Sequence, residues 1–401
     1  MTAVMPASVP SRSSDPIALP LRVAFNASPL LSPLTGIGNY IVRLGAALGA
    51  TGVVDAYSFY GYRWRHETPS PPPSSQGRLV AARVRDAIRP FVPFRRSLRA
   101  AQQRFVFARG VRRNAISLYH EPNYIPLPCD VPVVISVHDL SWLRYPETHP
   151  ADRVRWLERG LPRALERAAA ILVDSDFVRD ELQSAFRVDP RRVHAVHLGV
   201  GAEFRPRSAV ETATALHSFG LTHGDYLLTV GTIEPRKNLG HVLEAYARLP
   251  DRMRDRYPLV IAGAKGWRAA DLEGKLRTLA SRGEIRFLGR VSGEDLPSLY
   301  AGAAAFVFAS LYEGFGLPPL EAMASGVPAL VSDRGSLPEI AGDAAVIFNP
   351  EEPADTSAKI DALLADSGTR AELIRRGVHR AGVFTWESCA RTTLDVYRAI
   401  R

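Results

Sequence analysis

At 401 residues, with 46% hydrophobic and 23% charged side chains, the chain exceeds one ordinary hydrophobic core and is too apolar for a disordered polymer. No apolar run reaches the ~18 residues of a membrane-spanning helix. Two distant cysteines, Cys129 and Cys389, exclude a disulfide scaffold and a cysteine-rich metal site, and they read as packing residues in a reducing, cytoplasmic setting.

Residues 1–20 are rich in Pro and Ser and lack an apolar core, so they read as a disordered tail, not as a signal peptide or an anchor. Residues 21–26 form the first predicted strand. A loop follows, and Gly36-Ile37-Gly38 then opens an apolar helix; this Gly-x-Gly suits either a tight turn or close approach of a ligand. The segment 78–113 holds eleven arginines against one acid, Asp86, and accounts for the whole net charge of +9. Apolar residues such as Ile88, Phe91, Phe94, Leu98 and Phe105 are interleaved with them. The pattern fits a membrane-surface helix, or equally two helices whose arginines are solvated. No nucleic-acid motif occurs elsewhere, so an anionic lipid surface outranks nucleic acid as the partner of this segment.

Strand-like runs at 131–137, 170–173 and 193–198 end at His138-Asp139, at Asp174-Ser175-Asp176 and at Gly199-Val200-Gly201. The pattern loosens at 206–221, which reads as a linker between one domain at 21–205 and another at 222–385. Further runs at 226–230, 259–262, 285–288, 305–308, 329–331 and 346–348 alternate with helical stretches. Residues 386–401 form a last helix, expected to pack back toward the N-terminal domain. This alternation predicts an α/β fold of two open parallel sheets in tandem. In such sheets ligands sit at the carboxyl ends of strands, so the loops point to a cleft between the domains.

Three motifs carry chemistry. Glu313-Gly314-Phe315-Gly316-Leu317-Pro318-Pro319-Leu320-Glu321 follows a strand and opens a helix, with proline suited to its first turn. The free amides of Gly316 and Leu317 can take an anion at that helix start. Carboxylates do not bind phosphate, so Glu313 and Glu321 beside an anion site point to hydroxyls, those of a sugar and of a ribose. Arg236-Lys237 lies at another strand end, where a guanidinium fork and an ammonium can together neutralise a diphosphate. His138 ends a buried strand, as a packed core histidine or as a group facing the cleft. Asp174-x-Asp176 has the form of a metal-binding pair. Its place between strand and helix reads instead as a helix cap, so no obligatory metal is expected.

The 313–321 segment resembles the Glu-x7-Glu motif of retaining GT-B glycosyltransferases, family four in particular, and the resemblance extends over roughly residues 21–401. It implies the GT-B architecture, two Rossmann-like domains facing a central cleft, with the donor site in the C-terminal half. Catalytic roles would fall on His138 beside the donor sugar, on Arg236 and Lys237 at the diphosphate, and on Glu313 at the sugar hydroxyls. Glu321 would hold the ribose, while Phe315, Gly316 and Leu317 would offer backbone contacts. Gly36 and Gly38 would face the donor phosphate across the cleft, and Val291, closing the stretch 285–291, would flank the base. Arg334-Gly335-Ser336-Leu337-Pro338-Glu339 stands where the family has Gly-Gly-x-Pro-Glu, with Arg334 for the first glycine, which leaves Glu339 a supporting residue. The stretches 138–146 and 153–182 look like bacterial mannosyltransferases of polysaccharide and O-antigen assembly. The implied reaction is transfer of mannose from GDP-mannose, with retention, to a lipid-linked saccharide, without cofactor or metal. The implied location is the cytoplasm, peripheral on the inner face of the membrane through 78–113, with no nucleic acid engaged. A UDP-sugar-dependent GT-B transferase or epimerase and a non-catalytic nucleotide-binding scaffold are the alternatives.

Overall fold

The structure, a computed structural model, describes residues 20–32, 36–71, 94–264 and 283–400. The tail read at 1–20 lies outside the described residues except for Pro20, and the basic segment 78–113 is described from Phe94 onward.

Short apolar runs buried on both faces pair side by side, as parallel strands do when helices cover both sides of a sheet. The first sheet is built from β1 (Leu21–Asn26), β2 (Val54–Tyr60), β3 (Arg63–Arg65), β4 (Leu118–Glu121), β5 (Val133–Val137), β6 (Ala170–Val173) and β7 (Val193–Ala195). Its order is β3-β2-β1-β4-β5-β6-β7, parallel except for β3. The second holds β8 (Leu227–Val230), β9 (Leu259–Ala262), β10 (Ile285–Gly289), β11 (Ala305–Phe308), β12 (Ala329–Ser332) and β13 (Ala345–Phe348), in the order β10-β9-β8-β11-β12-β13. The expected α/β fold of two parallel sheets is present. In each sheet the strand order reverses once, between β1 and β4 and between β8 and β11. Loops leaving such a pair diverge to opposite faces and open a crevice at the strands' carboxyl ends.

One apolar cluster runs from β1 and the helix Gly36–Ala50 through the last helix, Trp386–Ala399, into β8, β11 and β12. That last helix crosses back to the first domain and packs on Gly36–Ala50. Its Tyr397 hydroxyl meets His120 Nδ1 at 2.6 Å, and His120 Nε2 meets Ser136 Oγ at 2.8 Å. Burial pushes His120 down to about 3, so it stays neutral in this network.

Residues 206–221, read as a linker, contain the helix Ala209–Ser218. Ser208 caps it, and Glu211 bonds back to the Ser208 amide at 2.8 Å. Ser-x-x-Glu is the sequence signature of such a capping box and was there to be read. The helix packs on Leu296–Ala301, so it belongs to the second domain. β2 and β4 also escaped the sequence reading. Asp55 and Ser58 interrupt the apolar run of β2, and β4 carries His120 and Glu121 in four residues.

Candidate active site

Arg236 and Lys237 lie on the turn Pro235–Lys237 after β8, and Glu313 on the loop after β11. Because β8 and β11 are neighbours, the two loops leave the sheet side by side. Glu313 accepts from Lys237 Nζ at 2.5 Å and from Arg236 at 3.2 Å. Arg236 also donates to Glu234 at 2.7 Å and to the Tyr312 carbonyl at 2.5 Å. Side-chain exposures of 10% for Glu313, 12% for Arg236 and 17% for Lys237 make this a buried cluster rather than a surface pair. Burial pulls Lys237 below its usual range. Burial also opposes the charge on Arg236, but Glu313, Asp139 and Glu234 outweigh it and hold the guanidinium firmly protonated. For Glu313 burial works against ionisation, and Lys237 and Arg236 overcome it. Two cations fixed out of water are what a departing diphosphate needs, because they cost no reorganisation when charge develops.

The helix Leu317–Ala324 begins behind Gly316, whose φ of 104° suits glycine alone. Its open first turn leaves the amides of Gly316 and Leu317 at the cleft end of the helix. Phe315 fits the expected role only in part: its ring packs in the core against Phe384, and its carbonyl accepts from Ser336 Oγ at 2.7 Å. Gly314 has no room for a side chain, since a Cβ would lie 1.9 Å from the His138 carbonyl oxygen. Its own carbonyl accepts from Ser175 Oγ at 2.6 Å. The loop that carries Glu313 and Gly314 therefore touches the ends of β5 and β6 across the cleft.

Both ring nitrogens of His138 are engaged. Nδ1 meets the two oxygens of Asp174 at 2.9 and 3.1 Å, and Nε2 meets the Pro122 carbonyl at 2.9 Å. With Asp174 ionised both partners only accept, so both nitrogens must carry protons. Burial disfavours the resulting imidazolium, but Asp174 and the Pro122 carbonyl more than offset it and raise its pKa. Tyr40 packs against the ring at right angles, centroids 4.7 Å apart. A ring tied in this way has no lone pair with which to take a proton.

Residues 34–204 match the pattern described as Glycosyltransferase Family 4, and residues 220–380 that described as Glycosyl transferases group 1. The O-antigen chain mannosyltransferase B of Escherichia coli is 36% identical over 388 residues, covering 95% of this chain and 100% of that protein. The chain belongs to glycosyltransferase family four. Solved structures agree on the fold. Sucrose-phosphate synthase from Thermosynechococcus elongatus superposes with a TM-score of 0.72 at 19% identity, covering 96% of this chain and 99% of that one. Anabaena HepE, in complex with UDP and glucose, superposes with 0.70 at 14% identity, covering 94% and 100%. At these identities the likeness speaks for the GT-B architecture alone.

Glu321 of the glycosyltransferase lies half-buried in the helix that Gly316 opens. Burial lifts its carboxyl to about 7, and Glu203 adds to the rise. The Tyr300 hydroxyl beside it is buried and meets no partner in good geometry among the described residues. A ribose diol is held best by the ionised carboxylate. Such a group is about one-tenth ionised at pH 6 and about nine-tenths at pH 8. Calorimetry should therefore show nucleoside diphosphate affinity rising up to about tenfold over that interval, and the rise should vanish in Glu321→Gln. A slope that survives the substitution would belong to another group.

Gly36 and Gly38 start the helix that follows β1, and a Cβ at Gly36 would meet nothing within 4 Å. Val291 follows β10 at the sheet's edge, two strands from β8, apart from the ion-pair cluster.

Glu339 supports the transferase's cleft in a way its motif did not show. Its carboxylate accepts from the amides of Asp176 and Phe177, both at 2.9 Å, and from His197 Nε2 at 2.8 Å. One domain thus supplies an anion to the N-terminus of a helix, Asp176–Ala185, in the other. Ser175 caps that helix from within, as its sequence position suggested. Asp176, His197 and Glu339 could by spacing hold a metal ion, but the donors already serve Glu339, and Asp176 pairs with Arg179 at 2.5 Å. The trio is a latch between domains. Glu339→Ala should cost about 2 kcal/mol through the stranded donors, and X-ray scattering should show a larger radius of gyration in the variant. A second bridge had no sequence signal at all: Tyr312 Oη accepts from the Leu140 amide at 2.9 Å and donates to Glu181, which pairs with Arg144 at 2.5 Å.

Proposed function

We propose that the enzyme transfers a mannosyl group from GDP-mannose, with retention, to a lipid-linked saccharide in O-antigen or related polysaccharide assembly. The buried cluster of Arg236, Lys237 and Glu313 at the switch between β8 and β11 carries the chemistry. Full-length identity with a named mannosyltransferase supports the sugar. Without donor, Glu313 neutralises the two cations. A donor diphosphate would take them over and free Glu313 to accept from sugar hydroxyls. As the C1–O bond to the diphosphate breaks, Arg236, Lys237 and the amides of Gly316 and Leu317 stabilise the departing charge. The acceptor oxygen bonds C1 on the face that the diphosphate leaves. Its proton passes to the departing phosphate oxygen, since His138 has no free lone pair. No helix among the described residues is long and apolar enough to cross a membrane. A lipid-linked acceptor would bring the enzyme to the anionic cytoplasmic leaflet, held there by the basic segment 78–113.

Calorimetric titration with GDP, UDP and their mannose and glucose conjugates, in EDTA, tests this reading. Selective binding of GDP and GDP-mannose, lost in Glu321→Ala, is expected. A UDP preference would keep the clamp and overturn mannosyl transfer, and no binding of either nucleotide would overturn the donor site. The anomeric configuration of the product, read by NMR, tests retention.

A further inference from the structure

We propose that a groove on the outer face of the N-terminal domain binds the phosphate headgroups of anionic phospholipids and docks the enzyme on a membrane. This rests on the reading that the enzyme works at a membrane surface. One wall of the groove belongs to the basic segment 78–113, and the other adds Arg159, Arg163 and Arg167 from a separate helix. The groove, about 460 Å³, runs between the helices Phe94–Arg113 and Ala151–Arg167. Arg104 lines one side, Arg159, Arg163 and Arg167 line the other, and Ile125 and Leu127 contribute apolar surface between them. Ile125 lies flat on Gly160, where a Cβ would come within 2.3 Å of its Cδ1, so this apolar floor is fixed by packing.

The four guanidinium groups are not used up internally. None of them makes a hydrogen bond or ion pair among the described residues, and no carboxylate lines the groove. Asp130, beside the lining residue Cys129, is taken by Arg112 at 2.7 Å, and Arg155 on the same helix is paired with Asp152. Arg159, Arg163 and Arg167 repeat every fourth residue, with Trp156 one turn before them, so all four share one stripe of the helix. Trp156 is 49% exposed, and Phe105, beside Arg104, is 68% exposed. Unpaired guanidinium forks match phosphate oxygens, and their stems lie readily along apolar surface.

Position separates this groove from the acceptor site. It is lined by Cys129, Val131 and Val133 at the entry to β5 and by Ala168 just before β6. Those are the strands' amino ends. The cleft opens at the other ends, about 16 Å away along a five-residue strand. The apolar floor and the exposed Trp156 and Phe105 suit acyl chains at a bilayer interface, which a soluble anion would leave unused.

Co-sedimentation of the full chain with phosphatidylcholine vesicles, with and without phosphatidylglycerol, tests the proposal. Wild type is expected to bind only the anionic vesicles. The triple variant Arg159→Gln/Arg163→Gln/Arg167→Gln should partition about a hundredfold less, with transfer to a soluble acceptor unchanged. The triple variant Arg252→Gln/Arg370→Gln/Arg391→Gln, which removes equal charge elsewhere, should bind as wild type does. Equal loss in both variants would mean bulk charge and overturn the site. Release by millimolar inorganic phosphate, or binding of duplex DNA that the groove substitutions abolish, would also overturn it. If Arg95→Gln/Arg96→Gln/Arg99→Gln abolishes vesicle binding and the groove variant does not, the groove fails while the membrane reading stands. No binding by wild type sinks both.

Discussion

Lys237→Met is expected to lower kcat about a hundredfold, the equivalent of about 3 kcal/mol of lost transition-state stabilisation, with only a modest fall in Tm. The ammonium sits over the Phe308 ring at 5.3 Å and bonds Glu313 at 2.5 Å, and both surroundings survive the change. Methionine keeps the stem's apolar contact, and Glu313 retains Arg236 as its counter-charge at 3.2 Å. What disappears is a positive charge placed in advance where the diphosphate leaves. Arg236→Met is a harsher and less informative change. It strips Glu313, Glu234 and the Tyr312 carbonyl of one shared donor, and breaking a buried pair from one side costs about 3–5 kcal/mol. Steady-state kinetics with saturating donor, alongside thermal unfolding, separates the two cases. A kcat for Lys237→Met within about fivefold of wild type would place the diphosphate elsewhere.

The strand-end placement of Arg236, Lys237 and Glu313 was legible because the signals for it are local in sequence. Each of their loops follows a short apolar strand, and two parallel sheets bring strand ends together by rule. Glu313 could be recognised from its spacing to Glu321, and Arg236-Lys237 from being two adjacent cations at a strand end. The clamp's internal pairing was not legible, because it depends on β8 lying beside β11, a crossover that no local pattern encodes. The same holds for Asp174. In the sequence it is the residue before a helix cap, and only the pairing of β5 with β6 carries it to His138. Glu339 looked like a loop residue of one domain and acts as the anion for a helix of the other, 163 positions away from Asp176. Contacts between domains are set by how two sheets face each other, and hydrophobic periodicity says nothing about that. The helix Ala209–Ser218 is a different failure, since Ser208 and Glu211 announced it.

Asp174→Asn should expose what His138 contributes. The folded-state pKa of His138 is raised above its unfolded value, so the ion pair acts in full below the unfolded value and is lost as pH rises through the folded one. Wild-type activity and stability should therefore persist above the pH at which a free imidazole loses its proton and decline as pH rises through the folded value. An amide cannot hold the ring's second proton by charge, so in the variant that decline should move to lower pH. On the acid side Asp174 itself limits the pair, since burial raises its carboxyl above the usual range. The other titratable groups facing the ring leave the window clear. Burial keeps His120 neutral, with a pKa of about 3. Asp139 stays ionised because Arg236 and Ser141 outweigh its burial. The Tyr40 and Tyr124 hydroxyls are pushed far up by burial. Nitrogen-15 spectra of the histidine rings should show two protonated nitrogens for His138 at pH 7 in wild type and one in Asp174→Asn, with Asp174→Glu partly restoring the wild-type profile. Superimposable pH–rate curves for wild type and Asp174→Asn, or a neutral ring in wild type, would reduce the pair to packing. The proton of the acceptor hydroxyl would then again have a histidine within reach, and the departing phosphate would lose its claim to be the base.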